Sequence, residues 1–197
     1  MSRIPTIDPS QATGKSRELL DGVKAKLGMT PNLMRAMANS PAVLEAYLQF
    51  SGALGGGELP VKTREQIALA VAQANSCEYC LSAHAAIGKS VGLTPEQIRD
   101  ARTGTASDPK SHAILKLTSQ LIEKRGFVSD EDLGAARDAG VNEAEIAEVV
   151  ANAALSIFTN YFNHVAETEI DFPVAEKLET VASADACGCH DDGCCAA

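Results

Sequence analysis

Tryptophan is missing from this chain, and aromatic residues make up only 4% of it. A β-sandwich core leans on large flat and β-branched side chains, so this shortage, set beside abundant Ala, Leu, Val and Ile, favours close-packed helices. No apolar run approaches the ~20 residues that span a bilayer. The opening residues, MSRIPTIDPS, have neither the basic nor the apolar stretch of a secretory signal. The expected location is therefore cytoplasmic. Positive charge is also scarce: 17 Lys and Arg stand against 26 Asp and Glu, for a formal net charge of −9. Such a surface repels nucleic-acid phosphates and anionic lipid heads, so neither nucleic acid nor membrane is an expected partner. Thiols stay reduced in the cytoplasm, so a cysteine pair there points to redox chemistry or metal binding rather than to a structural disulfide.

What is present reads as helix almost throughout. The 197 residues suit one domain. Leu19, Leu20, Val23 and Leu27 recur at helical spacing over residues 11–27, and Gly28 stops them. Ser40–Pro41 reads as an N-cap followed by Pro at the first helical position, and Gly55–Gly56–Gly57 ends that helix. A further helix begins near Pro60. A break at Asn75–Ser76 separates it from another, from about Cys77 to Val91. Thr94 with Gln97, and Ser129 with Asp132, have capping-box spacing. Helices are expected near 110–125, 130–138 and 143–162, with no alternating strand. A weak eighty-residue repeat pairs Glu65 with Glu145 and His84 with His164, and would make two similar helical halves. In the second half Ile157 and Asn160 replace the cysteines of the first.

The informative stretch is EQIALAVAQANSCEYCLSAH, Glu65 to His84. Cys77, Cys80 and His84 are separated by three and four residues, so two thiols and an imidazole share one helix face. The helix start favours a thiolate through its unpaired N–H groups and dipole. Thiols three apart in a first turn can also reach disulfide geometry. On the preceding helix, Lys62, Gln66 and Gln73 form a polar sector, and Glu65 lies outside it among Val61, Leu69 and Ala72. A carboxylate there must be paired or have a raised pKa, which suits a proton relay. The bland readings are half of a zinc site or two inert buried thiols for the pair, a packed histidine for His84 and a helix-start carboxylate for Glu65.

Glu65, Cys77-x-x-Cys80 and His84 at these spacings resemble the alkylhydroperoxidase D family, within the carboxymuconolactone decarboxylase-like superfamily and its peroxidase-related branch. The resemblance covers about residues 15–175 and includes NYFNHVAETEIDFP, Asn160 to Pro173. It implies an all-α multi-helix bundle and assembly as homo-oligomers: trimers, hexamers or dimers. It implies that Cys80 attacks a hydroperoxide substrate and becomes a sulfenic acid, that Cys77 resolves it to a disulfide, and that Glu65 and His84 relay protons. No cofactor is required, and a lipoyl- or thioredoxin-like dithiol or reducing protein would supply electrons. Tyr79 takes the place of a histidine found between the cysteines of the best-known members. It cannot act as a base at neutral pH, though its hydroxyl can donate a hydrogen bond.

Asn163 and His164 suit an active-site edge or a subunit interface, with a packed structural role favoured for both. His112 is expected to be exposed, and Met29, Met34 and Met37 to fill the core. A helical domain over 1–182 is followed by a tail, 183–197, with no periodicity, expected to be flexible. Its Cys187, Cys189, His190, Cys194 and Cys195 leave three readings open: a soft-metal site, a built-in reductant for the Cys77–Cys80 disulfide, or incidental thiols. Two other functions stay open: a non-enzymatic redox or metal sensor using that tail, and a decarboxylase or other lyase on the same scaffold.

Overall fold

The computed structural model describes residues 2–178. Among them are nine helices and no strand: α1 (Gly14–Leu27), α2 (Asn32–Met37), α3 (Pro41–Leu54), α4 (Val61–Ala74), α5 (Glu78–Ser90), α6 (Pro95–Arg102), α7 (Pro109–Glu123), α8 (Asp130–Asp138) and α9 (Glu143–Ala166). The expected punctuation is in place. Gly28 ends α1 in the left-handed region at φ 75°, where the missing Cβ removes the steric penalty. Thr94 with Gln97 and Ser129 with Asp132 form full capping boxes, and Asn142 with Glu145 adds a third. Pro41 opens α3 as expected, but the Ser40 side chain makes no cap hydrogen bond.

The fold is organised around α4, which packs against α5, α6, α7 and α9. Its Leu69, Ala70 and Ala72 face one core with Leu20, Met37, Leu44 and Leu115. Ile67 and Val71 face a second core with Leu117, Val141 and Val149. Each fully buried aliphatic here contributes about 1.5–3 kcal/mol through loss of wetted surface. Because α4 is enclosed on nearly every side, Gln66, a member of the polar sector with Lys62 and Gln73, is buried. Met34 and Met37 fill the core as expected, whereas Met29, in the turn after α1, is 38% exposed.

After α9 the chain runs back across α5 without regular structure. Asp171 fastens this strap by accepting the Asn32 N–H at 2.7 Å and the Tyr79 hydroxyl at 2.8 Å. The Ala175 N–H donates to Ser82 Oγ at 3.2 Å, and Arg102 Nη1 donates to the Glu176 carbonyl at 2.7 Å. No helix among the described residues is long and apolar enough to cross a membrane. The expected domain boundary at 182 and Cys187, Cys189, His190, Cys194 and Cys195 lie outside the described residues.

Candidate active site

The site begins with a reversal of the chain. α4 ends at Asn75, and Ser76 takes a left-handed conformation at φ 54°. The Cys77 N–H then reaches back to the Ala72 carbonyl at 2.9 Å, and the Ser76 N–H to the Gln73 carbonyl at 3.1 Å. These bonds satisfy carbonyls that a helix end leaves open. They also swing α5 back along α4, which brings residues nineteen apart in sequence into contact.

Glu65 and His84 meet across this α4–α5 pair, with Oε2 to Nδ1 at 2.8 Å. Their side chains are 14% and 25% exposed, so the Glu65 carboxylate on its apolar stripe is paired. Burial lowers the His84 pKa, but attraction and hydrogen bonding from Glu65, together with the nearby Cys80, outweigh it and raise it above the ordinary value. The imidazole therefore keeps its proton to a higher pH than free histidine.

Cys77 is the N-cap of α5, and Cys80 lies in the first turn. Both are free thiols, 1% and 2% exposed. The interaction between the two neighbouring thiols splits them. It holds the Cys77 thiol well above the ordinary range, with burial adding to the effect. The same interaction pulls Cys80 down to about 6 against the opposing effect of burial, helped by the charge of His84 and by the amides of Asn163 and Asn160. Asn163 Nδ2 donates to Cys80 Sγ at 3.2 Å, and Thr159 Oγ1 lies 4.0 Å from the same sulfur.

Tyr79 does not join this group. Its hydroxyl accepts from the Leu33 N–H at 3.1 Å and donates to Asp171, and its ring meets Phe172 edge-on at 5.8 Å. It fastens the strap to α2 and α5. His164 is exposed and stacks on Tyr161, while His112, also exposed, accepts from the Ala106 N–H at 3.4 Å. Among the described residues no cluster of three or more His, Cys, Asp or Glu could hold a metal ion.

Three site residues were not singled out in the sequence. Tyr47 on α3 lies near Cys80 and Glu65, and burial first, then those two charges, pushes its hydroxyl up to about 12. Thr159 and Asn160 come from α9, as does Asn163, for which packing alone was the favoured reading. Ser156, Thr159, Asn160 and Asn163 form a buried polar stripe at helical spacing in an otherwise apolar stretch. The signal that marked Glu65 would have marked this stripe too.

Residues 41–123, from α3 through α7, match the model of the carboxymuconolactone decarboxylase family. The fold agrees. A peroxidase-related protein from Ralstonia eutropha JMP134 with an alkylhydroperoxidase D core superposes with a TM-score of 0.76 at 24% identity, covering 86% of this chain and 92% of that one. A peroxidase-related protein from Silicibacter sp. TM1040 gives 0.75 at 22%, covering 85% and 89%. A variant of the debrominase Bmp8 bound to 2,3,4-tribromopyrrole gives 0.74 at 18%, covering 87% and 92%. The match to the carboxymuconolactone decarboxylase family is thus confined to residues 41–123, and the fold over most of the described residues is that of the alkylhydroperoxidase D-like structures. Over 46 residues it is also 52% identical to an uncharacterized protein of Haemophilus influenzae. That stretch is 23% of this chain, and the chain spans only 41% of that relative's length.

Proposed function

We propose that this protein is a thiol-dependent peroxidase, or disulfide oxidoreductase, that reduces hydroperoxides at Cys80. The observation that carries the reading is the pairing of Glu65 with His84 at 2.8 Å beside two buried thiols whose acidities are split in opposite directions. Cys80 gives up its proton readily and is the nucleophile, while Cys77 keeps its proton until a disulfide forms. The Cys80 thiolate attacks the terminal oxygen of the hydroperoxide, so that an S–O bond forms and the O–O bond breaks. The departing alkoxide takes a proton from His84, whose charge Glu65 supports. Cys77 then displaces water from the sulfenic acid to give the disulfide. A lipoyl- or thioredoxin-like dithiol returns two electrons and two protons, with no bound cofactor required.

With both sulfurs nearly closed to solvent, a small oxidant entering beside the partly exposed His84 fits the site best. An apolar stripe of Val150, Phe158, Tyr161 and Val165 on the outer side of α9, with Phe50 on α3, is left uncovered. A second copy of the chain in a homo-oligomer would cover it, in a reducing cytoplasm.

Peroxide consumption coupled to oxidation of a dithiol tests the assignment. Cys80→Ser should abolish it, and Cys77→Ser should stop turnover with Cys80 held as a sulfenic acid. Wild-type turnover in both variants would remove the basis for a thiol mechanism. The same thiolate could attack other electrophiles, so a brominated pyrrole, the ligand of the debrominase with this fold, belongs in the assay. Activity on a γ-lactone acid that survives loss of both cysteines would instead assign decarboxylation.

A further inference from the structure

Thr159, Asn160 and Asn163 reach the Cys80 sulfur from α9, and most of their polar atoms are accounted for. The Thr159 hydroxyl donates to the Ser156 carbonyl at 2.9 Å, Asn163 Nδ2 donates to Cys80 Sγ at 3.2 Å, and Asn160 Oδ1 accepts from Asn75 Nδ2 at 3.0 Å. Two atoms are left over. Asn160 Nδ2, a donor, and Asn163 Oδ1, an acceptor, are closed to solvent and have no hydrogen-bond partner among the described residues. Asn160 is 1% exposed and Asn163 is 4% exposed. A buried amide without a partner is costly, and each such exception calls for an explanation, whether strain, a water, an ion or a reacting group.

The two orphan atoms are three residues apart on one helix face, with Asn163 bonded to the reacting sulfur and Asn160 close enough to help hold its negative charge. One donor and one acceptor together match an oxygen that accepts one hydrogen bond and donates another. A hydroxyl does both.

We propose that Asn160 and Asn163 form the seat for the oxygen atom that Cys80 takes from a hydroperoxide, with Asn160 Nδ2 donating to that oxygen and Asn163 Oδ1 accepting its hydrogen. The inference rests on the thiol-peroxidase reading and adds a substrate requirement to it. In a hydroperoxide the terminal oxygen carries the hydrogen. When the Cys80 thiolate attacks it, the S–O bond forms, the O–O bond breaks, and the electron pair leaves on the alkoxide, which His84 protonates. The hydrogen on the transferred oxygen stays where it was. The sulfenic acid therefore keeps both hydrogen bonds that oriented the peroxide. When Cys77 attacks in turn, the S–S bond forms, the S–O bond breaks, and hydroxide leaves with the Cys77 proton as water, emptying the seat. A peroxide without a hydroxyl would leave Asn163 Oδ1 unpaired and be refused.

The test uses the full chain carrying Cys77→Ser, in which the Cys80 sulfenic acid cannot condense with Cys77. Rate constants of Cys80 with hydrogen peroxide and with methyl iodide, which has no hydrogen-bonding group, are compared across pH at equal thiolate fraction. Asn160→Leu should slow the peroxide reaction about tenfold or more, while methyl iodide stays within about twofold because both require the same thiolate. Asn160→Ser, which restores a hydroxyl donor, should recover part of the loss. Should Asn160→Leu not fold, Asn160→Ala carries the same comparison. If the two rates fall together, or neither falls, the oxygen seat is wrong while the peroxidase reading stands. If the parent forms no sulfenic acid with peroxide, both are wrong.

Discussion

Replacing His84 with Gln removes a charge from beside Cys80 while leaving a polar side chain for Glu65 to hold. Cys80 is held at about 6, against an ordinary thiol near ~8.5, a difference of about 3 kcal/mol between its two protonation states. The interaction with Cys77 is the largest contributor, burial opposes it, and the His84 charge comes next, ahead of the two amides. An opposite charge close to a buried group is worth about 1–3 pKa units. Without it, Cys80 should titrate near ~7.5, so its thiolate share at pH 7 falls from about nine-tenths to about a quarter. Alkylation of Cys80, followed by mass spectrometry, should then slow about fourfold at pH 7 and hardly at all at pH 9. Peroxide turnover should fall further, by about a hundredfold, because the leaving alkoxide has lost its proton donor. An unmoved Cys80 midpoint would mean that the His84 charge does not lower it, and an equal loss in alkylation and turnover that His84 does not protonate the leaving group.

The Glu65–His84 pair should also show in stability. Because the folded-state pKa of His84 is raised, its contribution is fully present below the unfolded value of ~6.5 and is lost as pH rises through the folded value. Glu65→Gln should therefore cost more stability at pH 6 than at pH 8.5 in denaturant titrations. Tyr79→Phe leaves the buried Leu33 N–H and Asp171 without their shared partner. It should cost about 1–3 kcal/mol and speed amide exchange along residues 171–176. Ser76→Gly removes a side chain from a left-handed position and should stabilise the fold by up to about 1 kcal/mol, read as a higher Tm with Cys80 reactivity unchanged. Phe158→Glu places a charge in the uncovered apolar stripe, and sedimentation velocity should show a smaller assembly than wild type.

Helix boundaries were legible because each depends on a local chemical rule: Pro at the first helical position, hydroxyl or amide caps at Thr94 and Ser129, Gly after Leu27. The shared face of Cys77, Cys80 and His84 was legible for a similar reason, since three- and four-residue spacings fix it without reference to the rest of the molecule. What stayed hidden depends on which helix lies opposite. Tyr79 occupies the middle of the motif, yet the turn of α5 points its ring at α2 and the strap. Gln66 belongs to a polar sector in the sequence, yet α4 is enclosed by four neighbours and buries it. Met29 is apolar but falls in the turn after α1, outside both cores. Asn163 came under the favoured packing reading and Asn160 was not singled out, because the partner they face, Cys80, is about eighty residues away.

The eighty-residue repeat shows how far spacing alone reaches. Glu145 and His164 are separated by the same nineteen residues as Glu65 and His84, but α9 runs unbroken between them. At ~1.5 Å per residue that places them about 28 Å apart, and Glu145 pairs with Lys110 instead, at 2.8 Å. In the first copy the left-handed Ser76 ends one helix and allows the next to fold back, which turns the same interval into a 2.8 Å contact. The uninterrupted helix has a different use. Its length carries Thr159, Asn160 and Asn163 to the mouth of that reversal, where a broken helix would have turned away. The two stretches therefore differ in form: one is bent so that carboxylate, imidazole and thiols meet, and the other is straight and brings its amides to the sulfur.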